Sequence, residues 1–288
     1  MPEVGLLPFA RVALDVARVV LPPYRSRFSK HQFTQPQLLA VLCLMRYEDW
    51  TFRETEVRLR EHSDLRRVLG LQRVPDYTTL YRFLKRLDAT KIHQALGEAA
   101  RRVKPKRGRR RARVAVDATG LAHGALSSFF VRRMEHHPRG MTRYRHWLKW
   151  LLVMDVDRQV IVAQRARPGP WLDCRSLPGL VDAAAQNTAI GLVLADAEFD
   201  SEANHQHIRR RLGAFSIIPA TRGRSSRVGI RGQMRRAFPR RLYRRRAIAE
   251  TVISVAKRKL SARAPGRHLA MQVRQAELLG VAHNVYRA

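Results

Sequence analysis

Cysteine is nearly absent from these 288 residues: Cys43 and Cys174 lie far apart, and neither has a second ligand-type residue at metal spacing. That excludes a disulfide-built scaffold and a cysteine zinc cluster, and both thiols read as buried groups of a reducing cytoplasm. Long apolar runs are missing too. The longest, Leu38 to Met45, falls far short of the roughly 20 residues a spanning helix needs, so no membrane partner is expected. The N-terminal stretch is apolar, but Glu3, Arg11, Asp15 and Arg18 break it and no small-residue cleavage site follows, so it reads as an amphipathic helix and not a leader. Acid is scarce: 23 Asp+Glu stand against 56 Lys+Arg, a formal charge of +33. A chain so basic pairs with a polyanion, and nucleic acid is the expected partner.

Residues 1–100 read as a small all-α, helix-turn-helix-like DNA-binding domain. Thr34 with Gln37 and Thr51 with Glu54 have capping-box spacing, and Gly70 is placed to stop a helix. In DYTTLYRFLKRL, Leu80, Phe83, Leu84 and Leu87 form one apolar face, leaving Arg82, Lys85 and Arg86 on a polar, basic one. A DNA-reading helix has this pattern, and so does a surface helix of an all-α bundle. Residues 101–113 carry nine Lys or Arg in thirteen positions, with Pro105 and Gly108. Such a run repels itself into an extended linker, and its cations, Arg109 and Arg110 among them, are suited to DNA phosphates.

From residue 114 the pattern becomes α/β. Strands are expected at 114–118, 147–156 and 158–166, the last two joined as a hairpin at 155–158. A helix at 177–187, a buried strand at 190–196, a helix from about 200 to 213 and a strand at 215–220 follow. A Gly- and Arg-rich loop (221–242) and two closing helices, about 243–262 and 270–287, complete a 114–288 domain with a mixed sheet flanked by helices.

Asp117 and Asp196 end apolar strands, where α/β sheets gather ligands, although either could simply cap the turn after it. A third acid, Glu250, sits in the most arginine-dense segment, beside Arg244 and Arg245. On a continuous helix Tyr243, Arg246, Glu250 and Lys257 fall within roughly 60° of one another, with Ile248, Val252 and Val255 opposite. A plain ion pair of Glu250 with Arg246 or Lys257 would account for the charges but not for the tyrosine.

Tyr, two residues, Arg, three residues, Glu, six residues, Lys resembles the C-terminal signature of the DDE transposases of insertion sequences, superfamilies four and five. VAVDATGL is similar to the family's first-aspartate strand, and LADAEFDSEANHQHIRRRLG to its second-aspartate strand and helix. Ala197, Glu198 and Phe199 depart from the usual residues there. The resemblance implies a ribonuclease H-like catalytic domain in which Asp117, Asp196 and Glu250 hold two Mg²⁺ or Mn²⁺ ions, Asp117 bridging both. Hard oxygen donors suit such ions, which relieve the mutual repulsion of clustered carboxylates. It also implies that Tyr243, Arg246 and Lys257 grip the cleaved end, that the substrates are double-stranded transposon ends and target DNA, that the synaptic complex is a homodimer, and that the setting is a prokaryotic cytoplasm, at the nucleoid. The alternatives are a domesticated, non-cleaving DNA-binding derivative and a basic RNA scaffold. Retention of all three carboxylates favours a cutting enzyme over the former, and the lack of an aromatic RNA-binding signature counts against the latter.

Other candidates are set aside. Asp155 and Asp157 belong to the hairpin turn, and the role of Asp173 is open. His136-His137 and the pair His205 and His207 lack further zinc ligands and read as solvated or phosphate-contacting. The glycines of 221–242 lack a Walker ending.

Overall fold

The computed structural model describes residues 3–28, 30–104, 111–122, 147–169, 172–221 and 228–288. Its chain divides into two compact units, Met1–Val103 with Ala256–Ala288, and Lys104–Val255. These differ from the expected 1–100, 101–113 and 114–288: the last stretch of the chain joins the helical unit, and the sheet unit is an insertion within it.

In the helical unit, α1 (Leu6–Val20), α2 (Gln35–Tyr47), α3 (Phe52–Glu61), α4 (Ser63–Leu69), α5 (Tyr77–Arg86) and α6 (Ala89–Arg102) precede the insertion. Local chemistry sets their ends. Both expected capping boxes form, Thr34 with Gln37 and Thr51 with Glu54. Gly70 closes α4 at φ 64°, a left-handed conformation that glycine adopts without a Cβ penalty. Asp76 opens α5 by accepting from the backbone N–H groups of Thr78 and Thr79. Leu80, Phe83 and Leu84 are buried as expected, while Arg82, Lys85 and Arg86 are exposed. The C-terminal helix, Leu269–Arg287, is buried along most of its length. Asn284 donates to the Leu96 carbonyl of α6 at 3.1 Å, and Arg274 to that of Leu87 at 3.3 Å. Of the expected linker, Arg101 and Arg102 finish α6 and Ala112 and Arg113 begin a strand; Arg109 and Arg110 lie outside the described residues.

The sheet unit holds five strands, β1 (Ala112–Ala122), β2 (Trp147–Asp155), β3 (Val160–Pro168), β4 (Ile190–Ala195) and β5 (Phe215–Ile217), in the order β3-β2-β1-β4-β5. β1 to β3 pair antiparallel, whereas β1–β4 and β4–β5 are parallel. This is the mixed, ribonuclease H-like sheet expected. Between the strands lie α7 (Leu177–Ala185) and α8 (Glu202–Gln206), the latter followed by a π turn, His207–Arg211. The basic loop is not all loop: α9 (Gly229–Arg236) and the short α10 (Arg240–Tyr243) form within it. Asp200 and Glu202 tie α9 down. Arg231 grips Asp200 with two arms at 2.9 and 2.6 Å, and Glu202 accepts from the N–H groups of Ile230 and Arg231. A 3₁₀ turn, Arg244–Arg246, leads into α11 (Ala247–Val255), which runs on into a π turn at Ala256–Leu260. The helix expected over 243–262 is thus helical up to Leu260, with its winding passing from 3₁₀ through α to π. Ala249 and Val252 are its buried residues before the π turn, while Ile248 and Val255 are only half-buried.

Candidate functional site

Parallel pairing puts the two aspartates side by side. Val116 of β1 is level with Ala195 of β4, so Asp117 and Asp196, one residue further on, occupy neighbouring rows about 4.8 Å apart. α11 packs against β1 and supplies the third acid. Their common neighbour is Arg246. One guanidinium Nη lies 3.1 Å from Glu250 Oε1 and 3.9 Å from Asp117 Oδ2, and the other lies 3.4 Å from Asp196 Oδ2. Three carboxylates from three elements thus converge on a single cation.

Their surroundings differ. Asp117 is nearly buried, with a 12% exposed side chain, whereas that of Glu250 is 67% exposed. Burial pushes the Asp117 carboxyl up, with Asp196 and Glu250 adding to the rise, against the pull of Arg246 and of the Ala118 N–H. Asp196 also does the capping job its position suggested, accepting from the Glu198 N–H at 2.9 Å. Tyr243 packs edge-on against Phe238, and burial first, then the three acids, raise its phenol above the ordinary value. Arg244 and Arg245 are exposed on the same turn, Arg245 3.6 Å from Asp157. Lys257 belongs to the helical unit, half-buried in the π turn, with its amine pushed down by burial.

The donor set suits a hard divalent cation, being all carboxylate oxygen around one positive centre. As the side chains stand, however, they are spaced by a guanidinium. Among the described residues no three His, Cys, Asp or Glu side chains meet closely enough to share an ion.

The remaining candidates have other partners. Asp155 accepts from the N–H groups of Asp157 and Arg158 in the hairpin, and Asp157 pairs with Arg113. His205 and His207 are neither solvated nor free for phosphate, which corrects the expectation. The ring of His205 is buried against Ser216 at 2.7 Å, and that of His207 is 2.9 Å from Asp182. His136-His137 lie outside the described residues. Asp173, whose role the sequence leaves open, is buried and 2.5 Å from Lys149. Lys149 is level with Gly120, three residues from Asp117, so strand alternation puts it on the other face of the sheet. Asp173 nevertheless neighbours Glu198, two residues past Asp196, so it stands one side chain away from the group. Glu198 was missed. Its carboxyl is pushed up by burial and by Asp196 and Asp173, and its position two residues past Asp196 was the available signal.

A second feature belongs to the helical unit alone. The segment between α1 and α2 lies beside α5, and together they form a groove of about 540 Å³ whose lining includes Arg25, Lys30, Arg82 and Arg86. Asp76 is its acid and is already engaged by Thr78 and Thr79, which hold its carboxyl down to about 2. Arg25 and Lys30 were overlooked because no periodicity marks them.

Residues 108–285 match the family described as Transposase DDE domain, and residues 13–86 match a second, Transposase domain (DUF772). No curated protein sequence matches the chain. The first match covers more than half of the sequence and contains all three carboxylates and Arg246, so this chain belongs to the DDE transposase family, whose members are metal-dependent nucleases and strand transferases acting on DNA.

Proposed function

We propose that this transposase binds the terminal inverted repeats of its own element, cuts at the element ends and joins the freed 3′-hydroxyls to target DNA. The convergence of Asp117, Asp196 and Glu250 on one cationic position carries the reading. These three carboxylates would hold Mg²⁺ or Mn²⁺. When bound, such a pair of ions supplies activation of the attacking oxygen and charge neutralisation at the leaving one. The protein's own groups do the rest. Arg246 has two guanidinium edges suited to a phosphate's oxygens, and Arg244 and Arg245 add exposed cations on the same turn. Tyr243, held neutral with a raised phenol, offers a ring on which an unpaired base can stack. Lys257 completes the family signature and is assigned to the same end-gripping role. In the helical unit Arg82, Lys85 and Arg86 present cations to the duplex. Two copies, one for each end, would assemble the synapse.

The test is an end-cleavage assay with the DNA that flanks the gene. Asp196→Asn should abolish divalent-ion-dependent cutting while binding in a gel shift stays within about twofold of wild type. Cutting that survives the substitution rejects the assignment.

A further inference from the structure

Arg246 is bonded in an unusual way. It faces three acids at once, at 3.1, 3.4 and 3.9 Å, and two of these distances are well beyond the 2.7–2.9 Å of a committed charge-assisted hydrogen bond. Its side chain is only 16% exposed, and its Nε is buried without a hydrogen-bond partner. The guanidinium is thus hydrogen-bonded to Glu250 and shared more loosely with Asp196 and Asp117. It also springs from the 3₁₀ turn directly before α11, four residues from Glu250, so the same short segment carries both the cation and one of the acids.

We infer that Arg246 is a resident counter-ion: its guanidinium holds Asp117, Asp196 and Glu250 together in the protein without divalent metal, and it must leave their shared position when a divalent ion enters. This rests on the reading of the three acids as metal ligands and adds a competition to it. A guanidinium neutralises one charge and spaces the carboxylates by its own width, whereas a divalent ion neutralises two and draws the oxygens in to about 2.0–2.1 Å for Mg²⁺. The two cations cannot occupy one place. Once displaced, Arg246 has both nitrogen edges free, and a DNA phosphate is the anion that can take them. Linkage follows: whatever draws Arg246 toward a phosphate must tighten divalent-ion binding by the same factor that the ion tightens phosphate binding. DNA and metal would load together, and the acids would be left poorly prepared for metal while no DNA is present.

The experiment is Mn²⁺ titration of the full-length protein, read by the electron spin resonance signal of free Mn²⁺, with and without a duplex carrying the element end. Arg246→Met keeps much of the bulk and removes the charge. In the absence of DNA it should bind Mn²⁺ at least about tenfold more tightly than wild type, and Arg246→Lys should fall between. Arg210→Met removes an exposed cation elsewhere in the sheet unit and should shift the constant by less than twofold, which separates local competition from loss of one charge in 56. Duplex DNA should tighten Mn²⁺ binding in wild type and lose that effect in Arg246→Met. Thermal melting supplies the second readout: without divalent ion the Met variant should melt several degrees below wild type, and Mn²⁺ should close the gap. If the Met variant does not fold, the Lys variant and the DNA dependence of wild type decide. Equal Mn²⁺ affinity in all variants overturns the counter-ion role and leaves the ligand assignment standing. Absence of Mn²⁺ binding at the acids in every protein, with DNA present, overturns both.

Discussion

Asp117 is costly to keep charged, since burial and two neighbouring acids all favour its protonated form. A cation beside it, whether guanidinium or metal, together with the Ala118 N–H, offsets that cost. His205 shows the opposite polarity. Burial, aided by Arg209, lowers its ring from 6.5 to about 4, so the folded protein keeps it neutral. The unfolded chain binds a proton that the folded one refuses. The contribution of His205 to stability is therefore complete above the unfolded value and drains away as the pH falls from about 6.5 toward 4. Urea midpoints measured from pH 7 down to 5 should decline, and His205→Gln should flatten that decline. An identical decline in the variant would show that other groups cause it.

At the level of elements, the helical groove has the clearer consequence. Arg25 and Lys30 reach the groove from a segment with no helical periodicity, opposite the cations of α5. If this groove meets DNA as proposed, these cations are placed to serve phosphates and not base edges. Arg25→Ala with Lys30→Ala should weaken binding to the element end and to random duplex alike, and should lower the log–log salt slope by roughly two, near 0.9 for each phosphate that is no longer neutralised. Weakening confined to the specific sequence would mean base reading instead.

Much of this architecture was legible in the chain. Both capping boxes and the Gly70 stop are local hydrogen-bond chemistry, and the β2–β3 hairpin is local turn chemistry; all four formed where spacing put them. The grouping of Asp117, Asp196 and Glu250 was legible only through the family pattern, because strand order is a non-local property that no periodicity encodes. The misses share one cause. Helix α9 in the basic loop depends on Glu202, which is distant in sequence and accepts from its first N–H groups. The winding also changes on either side of α11, so a stripe drawn at 100° per residue still brings Arg246 to Glu250 but drifts in the π turn that carries Lys257.

Taken whole, the molecule assigns its two ends to one unit. The C-terminal helix buries most of its length among the N-terminal helices, with Tyr286 5.9 Å from Tyr47 and Asn284 bonded to Leu96. Truncation after Val255 should therefore strip protection from 35–47 and 89–102 in hydrogen exchange and leave β1, β2 and β4 comparatively protected. Deprotection concentrated in the sheet instead would contradict the division. For a ribosome making this protein, the first helices emerge early and must wait, exposing apolar faces, until the last helix arrives. Meanwhile the nuclease fold in between has all of its strands and its glutamate. Synthesis interrupted near the end would yield a sheet with its acids in place but a helical unit still open, a product better suited to chaperones and proteases than to work on a chromosome.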